Sequence, residues 1–453
     1  MNINANINDF AQELLKRALE KGFSDAEIYI SGSSSLGIST LDGEIDKFES
    51  SSSRGLSFRG TYNNKMGYSY SELIDSGAID IIITEAMQNS EILEEEEQDK
   101  LFKGGCVYPE IKSFDGNLRD ILVEDRINAA LLMEKSAKQA SELIKGVDYN
   151  ELEYRQSDIL IANTYGVKLE YASNGAVGYA YARAVKDGET KTGIEFWEGL
   201  DWQKFNPAQI GADASKIALS KLGAKSVKSG QYKIIMQNTA FADFLGAFSD
   251  VFLADKAQKG LSLLAGKLNE KIASDIFTLR DDPVYPGSTR ARPFDAEGVA
   301  SQNKAVIENG VFKTFLHNLK TAAKDGVEST GNASKAGYKA PVKVAPKNLY
   351  AAPSDITKND LFKTAGDGIY ITDLAGLHSG ADEISGDFSV SAEGFLIENG
   401  ALTRPVEQIT IAGNFFDVLK DIISVADNLR FNYSGGGAPD VYIKNLAVAG
   451  SGE

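Results

Sequence analysis

The chain has 453 residues, 43% hydrophobic and 25% charged, and carries a net charge of −17. That length exceeds what one core usually serves, so two or three domains are expected, with the composition of a soluble globular protein. The acidic balance argues against non-specific nucleic-acid binding, which needs clustered lysine and arginine. No apolar run approaches the ~18 residues of a membrane span, and residues 79–83 read as one face of a helix. The opening MNINANINDF has neither the basic nor the apolar region of a secretion signal. A lone cysteine, Cys106, excludes an internal disulfide framework, so a cytoplasmic location is expected.

Asn8 or Asp9 caps a first helix, with Phe10, Leu14, Leu15, Ala18 and Leu19 at helical spacing and Gly22 as its stop. Strands are expected at 27–30, 36–40 and 45–49. A hairpin from 55–59 to 67–70 follows, with Asn63-Asn64 at its turn. A helix over 78–88 closes this first α+β domain, 1–92. The four glutamates at 94–97 and the stretch after them read as a linker, 93–118. The middle domain, 119–225, opens on a long helix over 120–143. Strands at 151–162, 167–172, 178–185 and 192–197 come next. Asn206 as N-cap, Pro207 at the first helical position and Gly223 bound another helix. Helix, antiparallel strands, helix thus appears twice, which suggests an internal repeat whose two copies pack together.

In the C-terminal domain, 226–453, a strand at 232–236 meets a helix over 239–254. Beyond it, short strands alternate with Gly and Pro turns. The fold class is therefore α+β: an N-terminal α/β-meander followed by a β-rich domain, barrel-like or sandwich-like. The Lys- and Pro-rich stretch 335–353 reads as an exposed loop.

One stretch, 376–414, concentrates polar groups at loops. It contains His378, one of two histidines, beside Ser379. A turn at Gly386-Asp387 leads into the alternating strand that carries Ser389. Asn399-Gly400 between apolar runs is a strong hairpin signal, and Asn414 hands the next strand to a helix from Phe415. The sequence Gly376-Leu377-His378-Ser379-Gly380 is not the G-x-S-x-G elbow, and neighbours in an extended segment point to opposite faces. The stretch 260–267 misses the phosphate-binding loop pattern in its spacing and in Leu268. Gly435-Gly436-Gly437 lacks the strand-turn-helix context of a dinucleotide site. A zinc held by His317, His378 and Asp387 would require the fold to bring them together.

The pattern HSG…GDFS…G.LIENG…PV..ITIAGN resembles the C-terminal signature of the TldD/PmbA family, whose PmbA branch is also called TldE. Two more blocks agree in order. One runs from Leu264-Ala265-Gly266-Lys267 to Asp281-Asp282. The other runs from Arg292-Pro293-Phe294-Asp295 through Glu308-Asn309-Gly310 to Ser329-Thr330-Gly331-Asn332-Ala333. The catalytic branch of that family carries HExxxH on the helix after the strand equivalent to 232–236, and a cysteine ligand near its C terminus. Two histidines on one helix can hold a zinc while the glutamate activates its water. Here that helix reads Asn238-Thr239-Ala240-Phe241-Ala242-Asp243-Phe244-Leu245-Gly246, and the later segment reads Asn432-Tyr433-Ser434-Gly435. Neither holds such a ligand.

The resemblance therefore implies a subunit of the PmbA type with no catalytic residue and no metal ligand of its own. Zinc would reside in a TldD-like partner of a heterodimer acting on unfolded or extended peptides. His378, Ser379, Asp387, Ser389 and Asn414 are the candidate peptide-contacting residues, and an exposed strand edge can accept a peptide backbone. The alternatives are a non-catalytic homodimeric peptide-binding or regulatory protein and an independent hydrolase using His378. The family has also been described as modulating DNA gyrase, which the charge of this chain does not support.

Overall fold

The computed structural model describes residues 5–92 and 100–452, so the glutamate run at 94–97 lies outside the described residues. The chain opens on α1 (Ala5–Glu20), which buries Phe10, Leu14, Leu15 and Ala18. It has begun by Ala5, ahead of the cap expected at Asn8 or Asp9. Leu19, off that stripe, is 46% exposed instead of buried. Three long strands follow, β1 (Asp25–Leu41), β2 (Glu44–Tyr62) and β3 (Lys65–Ser71), and then α2 (Ile79–Ile92). β1 and β2 each run unbroken where the sequence suggested two short strands. Asn63 and Asn64, at φ of 50° and 62°, make the tight turn that the right-handed twist of a hairpin favours.

The second unit repeats this plan. A single turn, α3 (Gly116–Arg119), precedes α4 (Val123–Gln139), β4 (Ile144–Asn163), β5 (Lys168–Lys186), β6 (Glu189–Gly199) and α5 (Pro207–Ser220). α4 is shorter than expected because β4 already begins at Ile144. Asn206 caps α5, its side chain accepting the Gln209 N–H at 3.1 Å. Antiparallel pairing of β1 with β4 joins the units into one six-stranded sheet, β3-β2-β1-β4-β5-β6. The inward residues of each strand pack under the helices, as Ile28, Ile30, Phe58 and Leu160 do under α1 and α2. On the opposite face Tyr29 and Ile161 meet Phe294, Ala296 and Ala333 from the C-terminal half.

That half begins with β7 (Lys228–Met236), α6 (Asn238–Ala247) and, after one 3-10 turn, α7 (Ala254–Gln258). The single helix expected over 239–254 is thus broken at Phe248. A second sheet is built from β8 (Leu279–Asp281), β9 (Lys304–Glu308) and β10 (Val311–Phe312). After α8 (Leu319–Asp325) and the pair β11 (Ala333–Ser334) and β12 (Lys343–Val344) comes β13 (Leu349–Ala351), a further strand of that second sheet. The Lys- and Pro-rich stretch is therefore not an exposed loop: Val344 and all of β13 are buried. Next come α9 (Lys358–Ala365), β14 (Gly368–Ala375), the short α10 (Leu377–Gly380), β15 (Asp387–Glu398) and β16 (Ala401–Asn414). The chain ends through α11 (Phe415–Lys420), β17 (Ile422–Val425), β18 (Arg430–Phe431), β19 (Gly437–Ala438) and β20 (Val441–Ser451). Strands run β16-β15-β14-β7-β20, and β16 pairs again with β20, which closes a five-stranded barrel. Of the two β-rich forms expected, the molecule takes the barrel. Its interior joins the apolar side of α6, where Phe244 packs on Phe388 and Phe248 stacks on Phe415 with ring centroids 4.6 Å apart.

Candidate functional site

α6 is held by both of its surfaces. Phe241, Phe244 and Leu245 are buried in the barrel core. At its start the fully buried Asp440 accepts the Asn238 N–H at 2.9 Å and the Tyr370 hydroxyl at 3.0 Å. A carboxylate there satisfies an unpaired helix N–H and complements the helix dipole. The other side of α6 faces a cavity of about 530 Å³ that is also lined by His378 and by Asn432, Ser434, Gly435 and Gly436.

The three cavity-facing positions with HExxxH spacing are Ala242, Asp243 and Ala247. Asn432, from the segment where the cysteine would lie, donates from Nδ2 to Asp243 Oδ1 at 2.6 Å. Surrounding protein raises the Asp243 carboxyl; the Asn432 bond opposes this, and the charge of Asp373 adds to it. The residues present do not fit a zinc held by two histidines and a cysteine. Two ligand positions are methyl groups, and among the described residues no cluster of three His, Cys, Asp or Glu is placed to hold a metal. That also removes the arrangement of His317, His378 and Asp387. His317 is buried away from this cavity, its backbone N–H donating to Thr330 Oγ1 at 2.6 Å, and burial lowers its imidazole pKa.

Of the five residues singled out in 376–414, only His378 lines the cavity. It stands in a helical turn, not the extended segment assumed from sequence, and Ser379 Oγ bonds to the Gly376 carbonyl at 3.3 Å. Asp387 and Asn414 do meet: Asn414 Nδ2 donates to Asp387 Oδ1 at 2.9 Å. Asn414 also caps α11 through the Phe416 N–H. Ser389 is exposed on β15.

A second cavity, about 600 Å³, lies between the sheet of the N-terminal half and the segment around 289–292, and reaches Tyr433. Its floor is hydroxylated. Ser33, Ser157 and Ser173 of that floor stand in register across β1, β4 and β5, and Ser53 of β2 continues the row. Ser33 and Ser53 hydroxyls are 2.9 Å apart, and those of Ser157 and Ser173 are 2.8 Å apart. Sequence reasoning missed this surface and the cations beside it. Its trace in the sequence is the serine runs at 33–35 and 50–53, which fall between the short strands expected there.

The molecule is thus a β-barrel with a helix-lined cavity, set against a six-stranded sheet made of two repeats. The models of the PmbA/TldA metallopeptidase domain 1, central domain and C-terminal domain match residues 26–90, 116–222 and 229–450. The chain belongs to the PmbA/TldD family. The metalloprotease PmbA of Escherichia coli O157:H7 is 25% identical over 97% of this chain and 96% of its own length. A metalloprotease of Methanocaldococcus jannaschii is 26% identical over 93% of each chain. Among solved structures, a Thermotoga maritima protein described as a candidate modulator of a DNA gyrase superposes with a TM-score of 0.91. It is 31% identical and covers 98% of this chain and 100% of that one. TldE from Thermococcus kodakarensis, at 22% identity and a TM-score of 0.89 over 97% of this chain and 100% of its own, shares the fold.

Proposed function

We propose that this chain is the PmbA/TldE-like, metal-free subunit of a cytoplasmic TldD/TldE-type peptidase complex acting on unfolded or extended peptides. In this reading a TldD-like partner in a dimer supplies zinc and the water-activating glutamate, while this chain completes the chamber and holds the peptide. One observation carries it: α6 presents Ala242, Asp243 and Ala247 to its cavity at HExxxH spacing, with Asp243 tied to Asn432. An alanine offers no lone pair to a metal, and Asp243 is one methylene shorter than glutamate. A feature of β2 supports the peptide half of the proposal. Residues 44–55 pair only with β1, because β3 reaches no further than Leu56. Such an edge offers backbone donors and acceptors to an added strand whatever its side chains.

Metal analysis and peptide cleavage, by the purified chain alone and mixed with a TldD-like protein, test the proposal. The expected result is no bound zinc and no cleavage alone, with cleavage in the mixture above that of the partner by itself. Zinc near one per chain together with cleavage alone would overturn it. Peptide binding with no cleavage in either arrangement would favour a homodimeric binding protein.

A further inference from the structure

The cavity floored by serines has cations on its wall, and one of them stands apart. Arg155 is paired with Glu153, and Arg290 donates to the Tyr433 carbonyl at 2.6 Å and lies 3.9 Å from Glu198. The side chain of Arg292 makes no hydrogen bond or ion pair among the described residues, and its buried Nε has no partner. Beside it is Lys347, on the wall of the adjoining cavity across the loop 432–436. Burial, and after it the charge of Arg292, lowers the Lys347 ammonium to about 7. Lys347 Nζ donates to Ser334 Oγ at 2.8 Å and has no carboxylate partner among the described residues.

The nearest acids are already committed. Asp281 Oδ2 takes Lys304 at 3.0 Å and Asn332 at 2.7 Å, and its Oδ1 takes the Lys347 backbone N–H at 2.7 Å. Asp295 accepts three backbone N–H groups, from Glu297, Val299 and Ala333. A guanidinium whose buried Nε has no partner is costly, and an anion bound against it offsets that cost. On a chain of net charge −17, long-range attraction cannot account for an anion held here, so recognition must be local. A planar guanidinium matches a carboxylate edge-on, and serine hydroxyls suit the amides that follow it.

We infer that Arg292, with Lys347 beside it, forms a carboxylate-binding subsite of the serine-floored cavity, and that this subsite receives the C-terminal carboxylate of an extended peptide. This rests on the peptide reading above.

The test uses the full-length chain, at fixed ionic strength because exposed charges are screened by salt. Calorimetric titration compares three unstructured N-acetylated peptides: one ending in a free carboxylate, its C-terminal amide, and the amide with one internal glutamate. The free acid should bind roughly tenfold or more tightly than the amide, the scale of one charge-assisted hydrogen bond. Arg292→Gln should erase that preference, Lys347→Met reduce it, and Arg292→Lys, which keeps the charge, retain part of it. Equal recovery by the glutamate-containing amide would overturn the C-terminal assignment in favour of an acidic side chain. Acetate in place of chloride provides an arm without any peptide. It should raise the unfolding midpoint of the wild type and not of Arg292→Gln. No acetate effect combined with equal binding of acid and amide would overturn the subsite while leaving the peptide reading intact. An acetate effect with no peptide bound would sustain the carboxylate receptor and sink the peptide reading.

Discussion

Asp281 shows how the balance of opposing effects decides the behaviour of a single side chain. Its burial is complete, and burial alone would raise its carboxyl. Lys304, Asn332 and the Lys347 backbone N–H outweigh that and hold the group below the usual carboxylate range. A folded-state value below the unfolded one means stability that is fully present above about pH 4 and lost as pH falls further. Asp281→Asn leaves Lys304 buried without its counter-charge and should cost about 3 kcal/mol at neutral pH in urea unfolding. The gap between variant and wild type should narrow below pH 4; a gap constant into acid would assign the loss to shape and not to charge. The sequence showed an acidic pair at 281–282, but not the lysine, amide and backbone groups that gather around it. The serines were misread for a related reason. Serine is a poor strand former in isolation, yet Ser33 and Ser53 pair through their hydroxyls across the ladder, which only the neighbouring strand reveals.

Elements were most legible where periodicity and end signals agreed. Asn206, Pro207 and the apolar spacing placed α5, and Asn399-Gly400 placed the β15–β16 turn, with both residues at positive φ. How closely two elements approach was not legible. A Cβ at Gly211 of α5 would lie 2.0 Å from the Met133 carbonyl oxygen of α4, and one at Gly193 of β6 would lie 2.3 Å from the Ala214 carbonyl oxygen. Both clashes are with backbone, which cannot swing aside. Gly211→Ala should therefore push α4 and α5 apart and destabilise the chain by about 1–3 kcal/mol despite the better helix propensity of alanine. An unchanged midpoint in denaturant would show that the two helices can separate freely. α6 illustrates the opposite limit: its start was readable, but not its early end at Phe248, whose ring stacks on Phe415, far away in sequence.

The division into a meander and a β-rich half was visible in the order of elements, but their junction was not. Arg59 of β2 pairs across the sheet with Glu27 at 2.7 Å and reaches Glu297 of the C-terminal half at 3.1 Å, a contact 238 residues away along the chain. All three side chains are buried. Arg59→Met strands two carboxylates and should cost about 3–5 kcal/mol, whereas Glu27→Gln, Arg59→Met and Glu297→Gln combined should recover most of that loss. Thermal unfolding of the set checks this, and a triple variant no better than the single one would show that packing around Arg59, not charge, joins the halves. The closed barrel has a different consequence, for biosynthesis. β20 lies between β7 and β16, so the first and last strands of the barrel are neighbours within it. The meander has all its strands once residue 199 has left the ribosome, and it can fold while translation continues. The barrel cannot close until Val441–Ser451 emerges, so the seam between β7 and β16, beside Ile234 and Met236, stays open through about two hundred codons. A ribosome stalled near residue 440 would therefore present a finished N-terminal sheet and an open apolar trough, the kind of intermediate that holdase chaperones bind.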